Sequence, residues 1–406
     1  MPQPLPRAFG FLAWANLAAQ SAEQLCLAAV PMVAVLVLNA GPGTIGFLTT
    51  AQTLPFLLLS IPLGLWADRR SRQKMMVLAE VIRALSVLAL LAAVLTGQLS
   101  IALLAALGFV GAVGTVAFSV AAPAVVPSLV PRDMLARANG RIELARSTAF
   151  TAGPALAGAL VSWGGASSAF AVAAVLSLSA ASLLWRLAEP PRPPVPARHP
   201  LLELRDGAHF VWRHAMLKPI LITGVVWNLS WFVLQAAYVP YAVRVMGLGA
   251  EAVGVTLAAY GVGMVAGALL VPRVVAAIPF GRAIQLGPVV SVFAALTMAG
   301  SLFVPGPVLP TVSFLLFGAG PMVWTITSVT LRQTVTPGPM LGRSAALYLA
   351  ASAGARPVGA ALGGIVGAGW GEAACLAVAV AGFVAQAAII LLSQVRGLTH
   401  LPAPQG

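Results

Sequence analysis

The stretch Gly64-Leu65-Trp66-Ala67-Asp68-Arg69-Arg70-Ser71-Arg72-Gln73-Lys74 places one carboxylate and four basic side chains between two long apolar segments. A glycine such as Gly64 permits a neighbouring membrane helix to approach closely. The Asp68 carboxylate, at the membrane edge, can pair with an arginine or with a helix N-terminus. Such a contact can hold one conformation and break in another. The stretch is therefore suited to control the approach of the two helices that it joins.

The composition excludes a soluble fold. Of the 406 residues, 60% are hydrophobic and only 8% are charged, whereas a soluble domain carries about 25% charged residues. Mean hydropathy is +0.96, which indicates that most of the surface faces lipid. The net charge of +13 would suit a nucleic-acid partner in a soluble protein. Here the basic residues lie in short clusters between apolar runs, so we predict no nucleic-acid partner.

Metal ions, disulfides and cofactors are not expected. Cys26 and Cys375 lie inside apolar runs and are predicted to pack as small buried residues. His199, His209 and His214 share one basic loop, without an acidic or cysteine partner at ligand spacing. The sequence also lacks a nucleotide-binding motif and a nucleophile–base pair. We therefore predict that the protein is not an enzyme and that an ion gradient supplies any energy it needs.

Twelve apolar runs are long enough to cross a bilayer, which takes about 20 residues. The first run exceeds the length of a signal-peptide core and is predicted to be a retained helix. The runs lie near 9–38, 43–66, 74–96, 99–127, 139–162, 167–187, 217–244, 251–272, 284–303, 309–331, 343–367 and 371–394.

Lysine and arginine cluster in alternate connections between these runs. The other connections, near 39–42, 97–100, 163–166, 304–309 and 368–371, contain no basic residue, and the one near 245–250 has a single basic neighbour, Arg244. The positive-inside rule then places both termini in the cytoplasm. The excess of arginine over lysine and the many alanines indicate a bacterial source, so we predict a multi-pass protein of the bacterial inner membrane.

A proline-rich connection, 188–216, divides the chain into an N-terminal half, 1–187, and a C-terminal half, 217–406. Within it, Leu201–His214 alternates apolar and charged residues at helical spacing, which predicts an amphipathic surface helix. The segment that begins at Pro131 resembles the one at Pro337 with a constant offset. We therefore predict an all-α membrane protein of twelve transmembrane helices in two pseudo-symmetric six-helix halves.

Residues 64–74 resemble the signature Gly-x-x-x-Asp-Arg-x-x-Arg-Arg/Lys of the major facilitator superfamily, at its place between the second and third helices. In the fifth helix, Gly153-Pro154-Ala155-Leu156-Ala157-Gly158 is similar to the Gly-Pro element of the family's antiporters. Nearly the whole chain resembles the drug/proton antiporter branch, which includes macrolide and enterobactin exporters. The resemblance implies a monomeric secondary transporter. It also implies a conformational signature formed by Gly64, Asp68, Arg69, Arg72, Gly153, Pro154 and Gly158.

Glu23 falls near the middle of the first predicted helix, where a charge costs about 2.5–3.5 kcal/mol on insertion scales. We interpret it as a proton-coupling or cation-recognising carboxylate, with Asp68 as the second proton-coupling candidate. The alternative is a neutral, hydrogen-bonded glutamate that only packs. Related exporters often carry an acidic residue near this position.

Four other intramembrane charges form two pairs at a spacing of three residues. We predict structural ion pairs between Glu80 and Arg83 and between Glu143 and Arg146, near the cytoplasmic ends of their helices. Arg146 and Arg356 lie deeper, and either can attract an anionic substrate or hold a carboxylate.

In the family that the chain resembles, the first and seventh helices line the substrate cavity. Asn228, Trp231 and Gln235 recur at helical spacing on the seventh helix. With Asn16, Gln20 and Glu23 of the first helix they predict an apolar cavity with a few polar groups, which suits amphipathic compounds. Tyr238 and Tyr241 we interpret as part of an interfacial aromatic belt.

The leading functional prediction is proton-coupled export of a hydrophobic or amphipathic small molecule, by alternating access of the two halves. Candidate substrates are a drug, an antibiotic, a siderophore or a secondary metabolite. Two alternatives stay open. One is a facilitator or importer of a small polar solute, and the other is a membrane sensor that does not transport.

Overall fold

A computed structural model describes residues 6–131, 134–189 and 200–402, and within these ranges the chain forms α-helices. The helices are α1 (Arg7–Leu38), α2 (Pro42–Arg69), α3 (Arg72–Leu95), α4 (Ile101–Leu129), α5 (Leu135–Trp185), α6 (Pro200–Arg213), α7 (Leu217–Pro240), α8 (Ala250–Ala277), α9 (Phe280–Gly300), α10 (Val308–Val335) and α11 (Gly338–Leu391). A π-helical turn, Tyr241–Val245, extends α7, and a short 3₁₀ helix, Gln394–Gly397, follows α11.

Two of these helices are too long to be single spans. Helix α5 has 51 residues and α11 has 54, so each is roughly 75–80 Å long at about 1.5 Å per residue, against an apolar core of about 30 Å. Each breaks at a glycine with positive φ, Gly165 at 71° and Gly371 at 80°, a conformation that L-residues with a side chain avoid. Within the described ranges ten helices are apolar enough to span a membrane. Dividing α5 and α11 at their breaks accounts for the predicted twelve.

The two breaks occupy equivalent positions in the internal repeat. Gly165 lies 34 residues after Pro131, and Gly371 lies 34 residues after Pro337, the two prolines with which the repeated segments begin. Both glycines have the same ψ, −177°. The shared offset therefore reflects a repeated local structure and not a chance match in an alanine-rich chain.

The chain divides into two compact units. Unit 1 comprises Met1–Ala40, Ala51–Pro196 and Gly249–Ala258, and unit 2 comprises Gly41–Thr50, Ala197–Leu248 and Ala259–Gly406. The change from one unit to the other near residue 196 falls inside the predicted 188–216 connection. Its prolines from 190 to 196 lie outside the described residues, and the predicted amphipathic helix is present as α6 in unit 2.

In unit 1, the beginning of α8 packs directly on α5. A Cβ added at Gly254 would lie 2.5 Å from the carbonyl oxygen of Pro154 and 2.9 Å from Cα of Gly158. Side chains cannot fit at such a distance, so the two backbones are in contact because both positions are glycine.

Unit 2 repeats this arrangement between the beginning of α2 and α11. A Cβ added at Gly364 would lie 3.2 Å from the carbonyl oxygen of Gly43 and 3.2 Å from Cα of Gly46. The repeated sequence therefore yields the same kind of glycine-to-glycine helix contact in both units.

The positions of Tyr238 and Tyr241 differ from the interfacial belt that the sequence analysis predicted. Both side chains are fully buried in unit 2. The Tyr241 hydroxyl and the Ser301 hydroxyl are 2.9 Å apart, and the Tyr238 ring meets Phe314 edge to face at 4.6 Å. An interfacial belt needs side chains at the surface, so the assignment of these two tyrosines to such a belt was wrong.

His214 joins α6 to α7. Its Nδ1 accepts hydrogen bonds from the backbone N–H groups of Met216 at 3.2 Å and Leu217 at 3.3 Å, donors that the first turn of a helix leaves without intrahelical partners. Burial lowers the pKa of His214 from its ordinary value of 6.5. Protonation would convert Nδ1 from an acceptor to a donor and remove both hydrogen bonds.

We expect the folded protein to lose stability as the pH falls below about 6.5, in part through His214. Because the pKa of His214 is lower in the folded than in the unfolded chain, the unfolded chain binds more protons between the two pKa values, and stability rises with pH in that window. Thermal unfolding in detergent at pH 7.5 and 5.5 measures the loss, which should be smaller in His214→Asn, whose amide oxygen still accepts these hydrogen bonds. Equal pH dependence in both proteins would contradict the expectation.

Candidate functional site

A buried ion pair lies in unit 1, on α3. Nη1 of Arg83 is 2.9 Å from Oε1 of Glu80, and the two side chains are 4% and 0% exposed. Arg83 also donates to the carbonyl oxygen of Ala19 on α1 at 2.9 Å and to the hydroxyl of Thr115 on α4 at 3.0 Å. The guanidinium thus ties three helices together, with the fork of donors that only arginine supplies.

The predicted pairing of Glu80 with Arg83 is confirmed, but the ion pair lies further from the end of α3 than the sequence analysis expected. Glu80 lies eight residues after the first residue of α3, roughly 12 Å along the helix. Complete burial separates this pair from the helix end, where the sequence analysis placed it. Two opposite charges three residues apart in an apolar helix were the only sequence signal.

Glu23 lies beside this pair. It is half-buried on α1, one turn after Ala19, and its carboxylate interacts electrostatically with that of Glu80. Glu80, Arg83 and the neighbouring Glu23 together comprise two carboxylates and one guanidinium. Uptake of a single proton by either carboxylate would bring the formal charge of these three side chains to zero.

The signature stretch lies at the junction of α2 and α3. An added Cβ at Gly64 would lie 3.8 Å from Cγ1 of Val120, an ordinary contact distance, so close helix packing does not require the glycine in this conformation. Arg72 donates from Nη1 to the carbonyl oxygen of Ala124 on α4. The side chains of Asp68 and Arg69 lie outside the described part of the chain.

Glu189 is a residue that the sequence analysis missed at this junction. Its Oε2 accepts hydrogen bonds from the hydroxyl of Ser71 at 2.7 Å and from the backbone N–H of Gln73 at 3.0 Å. Ser71 is also the N-cap of α3 and accepts from the N–H of Lys74. A carboxylate at a helix N-terminus is stabilised by the helix dipole, so Glu189 holds the signature stretch against the end of α5. No motif in the sequence pointed to it.

The Gly-Pro element of α5 packs against α1 close to Glu23. A Cβ added at Gly153 would lie 2.6 Å from Cβ of Gln24, while Pro154 and Gly158 meet α8 as described above. This element therefore sets the distance of α1 from α5, and it lies next to the predicted proton-coupling residue.

The residues predicted to line a cavity fall into two sets, one in each unit. In unit 1, Asn16 is 4% exposed and donates to the carbonyl oxygen of Ile142 at 3.5 Å, while Gln20 is half-buried. In unit 2, Asn228 donates to the carbonyl oxygen of Gly224 at 2.9 Å, and Gln235 is half-buried. Each set stays a prediction for substrate contact.

Trp231 is the centre of an aromatic cluster in unit 2. Its ring lies 5.0 Å from Tyr260, 5.2 Å from Phe317 and 5.4 Å from Trp227, the last in a stacked arrangement. Only 8% of Trp231 is exposed. The cluster surrounds this part of α7 with apolar, polarisable rings, which the sequence had indicated only through the residues of α7 itself.

The two deeper arginines differ in their surroundings. Arg146 pairs with Glu143 at 3.1 Å as predicted, with side chains 41% and 51% exposed, and its guanidinium lies 5.4 Å from the ring centre of Phe150. Arg356 is half-buried on α11 in unit 2. A role for either arginine with an anionic substrate stays a prediction.

Comparison with known proteins agrees with this architecture. The chain is 28% identical over 309 residues to the enterobactin exporter EntS of Escherichia coli O1:K1 / APEC, covering 75% of this chain and 72% of that protein. The structure superimposes on a bacterial homologue of the iron transporter ferroportin in the inward-facing state, with a TM-score of 0.76, 17% identity and coverage of 96% of this chain and 99% of that chain. It also superimposes on the nucleoside transporter NupG, with a TM-score of 0.74, 12% identity and coverage of 95% and 98%.

These solved structures share the fold alone, since their identity is low. The sequence profile described as Major Facilitator Superfamily matches residues 12–360, which includes the signature stretch, the buried charge cluster of unit 1 and the aromatic cluster of unit 2. The chain is therefore a multi-pass membrane transporter that belongs to the Major Facilitator Superfamily.

Proposed function

We propose that the protein exports an amphipathic or hydrophobic small molecule in exchange for protons. The observation that carries this proposal is the cluster of Glu80 and Arg83, buried among α1, α3 and α4, with the half-buried Glu23 beside them. Charge at this depth is costly and in membrane proteins marks ion pathways and proton relays. Two carboxylates beside one arginine can hold or release one proton without leaving a large net charge in the apolar interior.

The substrate class is inferred from the aromatic cluster of unit 2. The cluster around Trp231 makes this part of α7 apolar and polarisable, with Asn228 and Gln235 as nearby polar groups on the same helix. Such a mixture suits a large amphipathic compound better than a sugar, which needs many hydrogen-bonding side chains. Similarity to an enterobactin exporter supports export and makes a catecholate siderophore one of the compounds to test.

The proposal includes the oligomeric state, the membrane location and the energy source. A monomer in the bacterial inner membrane, with both termini in the cytoplasm, would draw on the proton gradient and need no cofactor. The distribution of basic residues supports this orientation.

Proton release on substrate binding tests the exchange. We expect purified protein in weakly buffered detergent to release protons, in a saturable manner, when enterobactin or the lipophilic cation tetraphenylphosphonium is added. In proteoliposomes with an acidic lumen the same compound should accumulate, and a proton ionophore should abolish the accumulation. If the compound bound without proton release and its uptake did not depend on the proton gradient, the protein would be a facilitator and not a proton exchanger.

A further inference from the structure

Unit 2 contains a cleft of about 920 Å³ between α6 and the beginning of α11. The walls come from one face of α6 and from the first turns of α11, at the side predicted to be cytoplasmic. The residues that matter most for its chemistry are Arg205, Asp206, His209, Arg213 and Arg343. None of them belongs to the charge cluster of unit 1 or to the aromatic cluster.

The basic residues of α6 converge on this cleft because of helical spacing. Arg205, His209 and Arg213 follow one another at intervals of four residues, so they line one face of the helix. All three side chains are exposed. Basic residues that only keep a loop on the cytoplasmic side do not have to share one face of a helix. These three line a single concave surface.

Helix α11 supplies the opposite wall and fixes its position. Nη1 of Arg343 is 3.2 Å from Oδ2 of Asp206. A Cβ added at Gly207 would lie 2.5 Å from the carbonyl oxygen of Arg343, so the backbones of α6 and α11 touch here. The cleft is thus built by packed helices and does not depend on a loop.

The charge of the cleft favours an anion with several oxygen atoms. Among the described residues that line the cleft, three are arginines, Arg205, Arg213 and Arg343, and one is a carboxylate, Asp206. Each guanidinium presents a planar fork of donors that matches a phosphate group. Pro337, before the first turn of α11, also lines the cleft, so the partial positive charge of that helix terminus adds to the attraction.

The neighbouring residues place the cleft at a lipid surface. Trp212 on α6 is 58% exposed, and the ammonium of Lys218 lies 4.6 Å from its ring centre. Exposed tryptophan beside lysine is typical of the membrane–water interface, and the membrane-spanning segment of α7 begins at Leu217, next to Lys218. An amphipathic helix in this position lies among lipid headgroups.

We propose that this cleft binds the phosphate of an anionic phospholipid headgroup, which enters from the cytoplasmic leaflet. The binding site stands apart from the proposed transport of small molecules and does not depend on it. Bound lipid would bridge α6 to α11 through Arg205, Arg213 and Arg343, and so hold the connection between the halves against unit 2.

The test measures lipid binding by native mass spectrometry of the whole protein released from detergent containing phosphatidylglycerol or phosphatidylcholine. We expect wild-type protein to retain phosphatidylglycerol in preference to phosphatidylcholine. The double variant Arg205→Gln/Arg213→Gln should bind phosphatidylglycerol roughly tenfold more weakly, because it loses two charged hydrogen-bond donors. Its thermal unfolding without added lipid shows whether it is folded.

The matched control removes the same charge from outside the cleft. Arg273→Gln/Arg282→Gln alters two exposed arginines of unit 2 in another predicted cytoplasmic connection, and should leave the preference for phosphatidylglycerol unchanged. An equal loss in the control would overturn the site, since the attraction would then be general. If inorganic phosphate or glycerol 3-phosphate competed at a concentration equal to that of the lipid, the bound phosphate would not have to come from a lipid. If the wild type showed no preference for phosphatidylglycerol, both the site and its lipid ligand would be overturned.

Discussion

Replacement of Glu23 by glutamine is expected to abolish proton release on substrate addition while leaving substrate binding measurable. The glutamine keeps the size and hydrogen-bonding capacity of the side chain but cannot exchange a proton. Under the proposed exchange, a bound cation or amphipath would compete in the wild type with the proton that neutralises Glu23, Glu80 and Arg83. In the variant, Glu80 and Arg83 alone form a neutral pair, so substrate binding has no proton to displace.

The measurement uses a pH indicator in weak buffer, with binding followed separately by tryptophan fluorescence. Glu143→Gln is the matched control, because Glu143 is a carboxylate three residues from an arginine but is 51% exposed; its release should equal that of the wild type. If release persisted in Glu23→Gln, the exchanged proton would have to be assigned to Asp68 or to another carboxylate. That result would refute the role of Glu23 without refuting exchange.

The ion pair of Glu80 and Arg83 should show a strong asymmetry when its members are removed one at a time. Glu80→Leu leaves a buried guanidinium that cannot lose its proton and keeps only the half-buried Glu23 beside it. The loss of one partner of a buried pair costs about 3–5 kcal/mol. Arg83→Leu should cost less, because Glu80 can take up a proton and become neutral. The double variant Glu80→Leu/Arg83→Leu is expected to be the most stable of the three, since neither of the two fully buried charges remains.

Unfolding of each variant in mixed detergent, followed by circular dichroism, measures these differences. The pair of Glu143 and Arg146 has the same spacing but is largely exposed, so the corresponding leucine substitutions should each change stability by less than about 1 kcal/mol. If Arg83→Leu proved as damaging as Glu80→Leu, the side chain of Glu80 would have to stay charged. It would then be a structural anion and not a group that exchanges protons.

Burial and partners were the features that the sequence could not supply. Glu189 holds the N-terminus of α3 from 116 positions away along the chain, at the N–H of Gln73, and no local pattern marks such a contact. Tyr238 and Tyr241 were misplaced for the same reason, because the composition of α7 does not reveal which face meets Phe314 and Ser301. The burial of Glu80 and Arg83 likewise depends on neighbouring helices, since Arg83 bonds to residues of α1 and α4.

The sequence by itself determined that the chain crosses a membrane twelve times, that its halves repeat and that residues 64–74 carry a family signature. Hydrophobic length, basic loops and motif spacing are local properties, and lipid admits few backbone structures besides helices, so these properties suffice. Only the tertiary structure decided which charges share one buried cluster, which aromatic rings surround Trp231 and how α6 meets Arg343. Those relations join residues far apart in the chain, and packing between helices creates them.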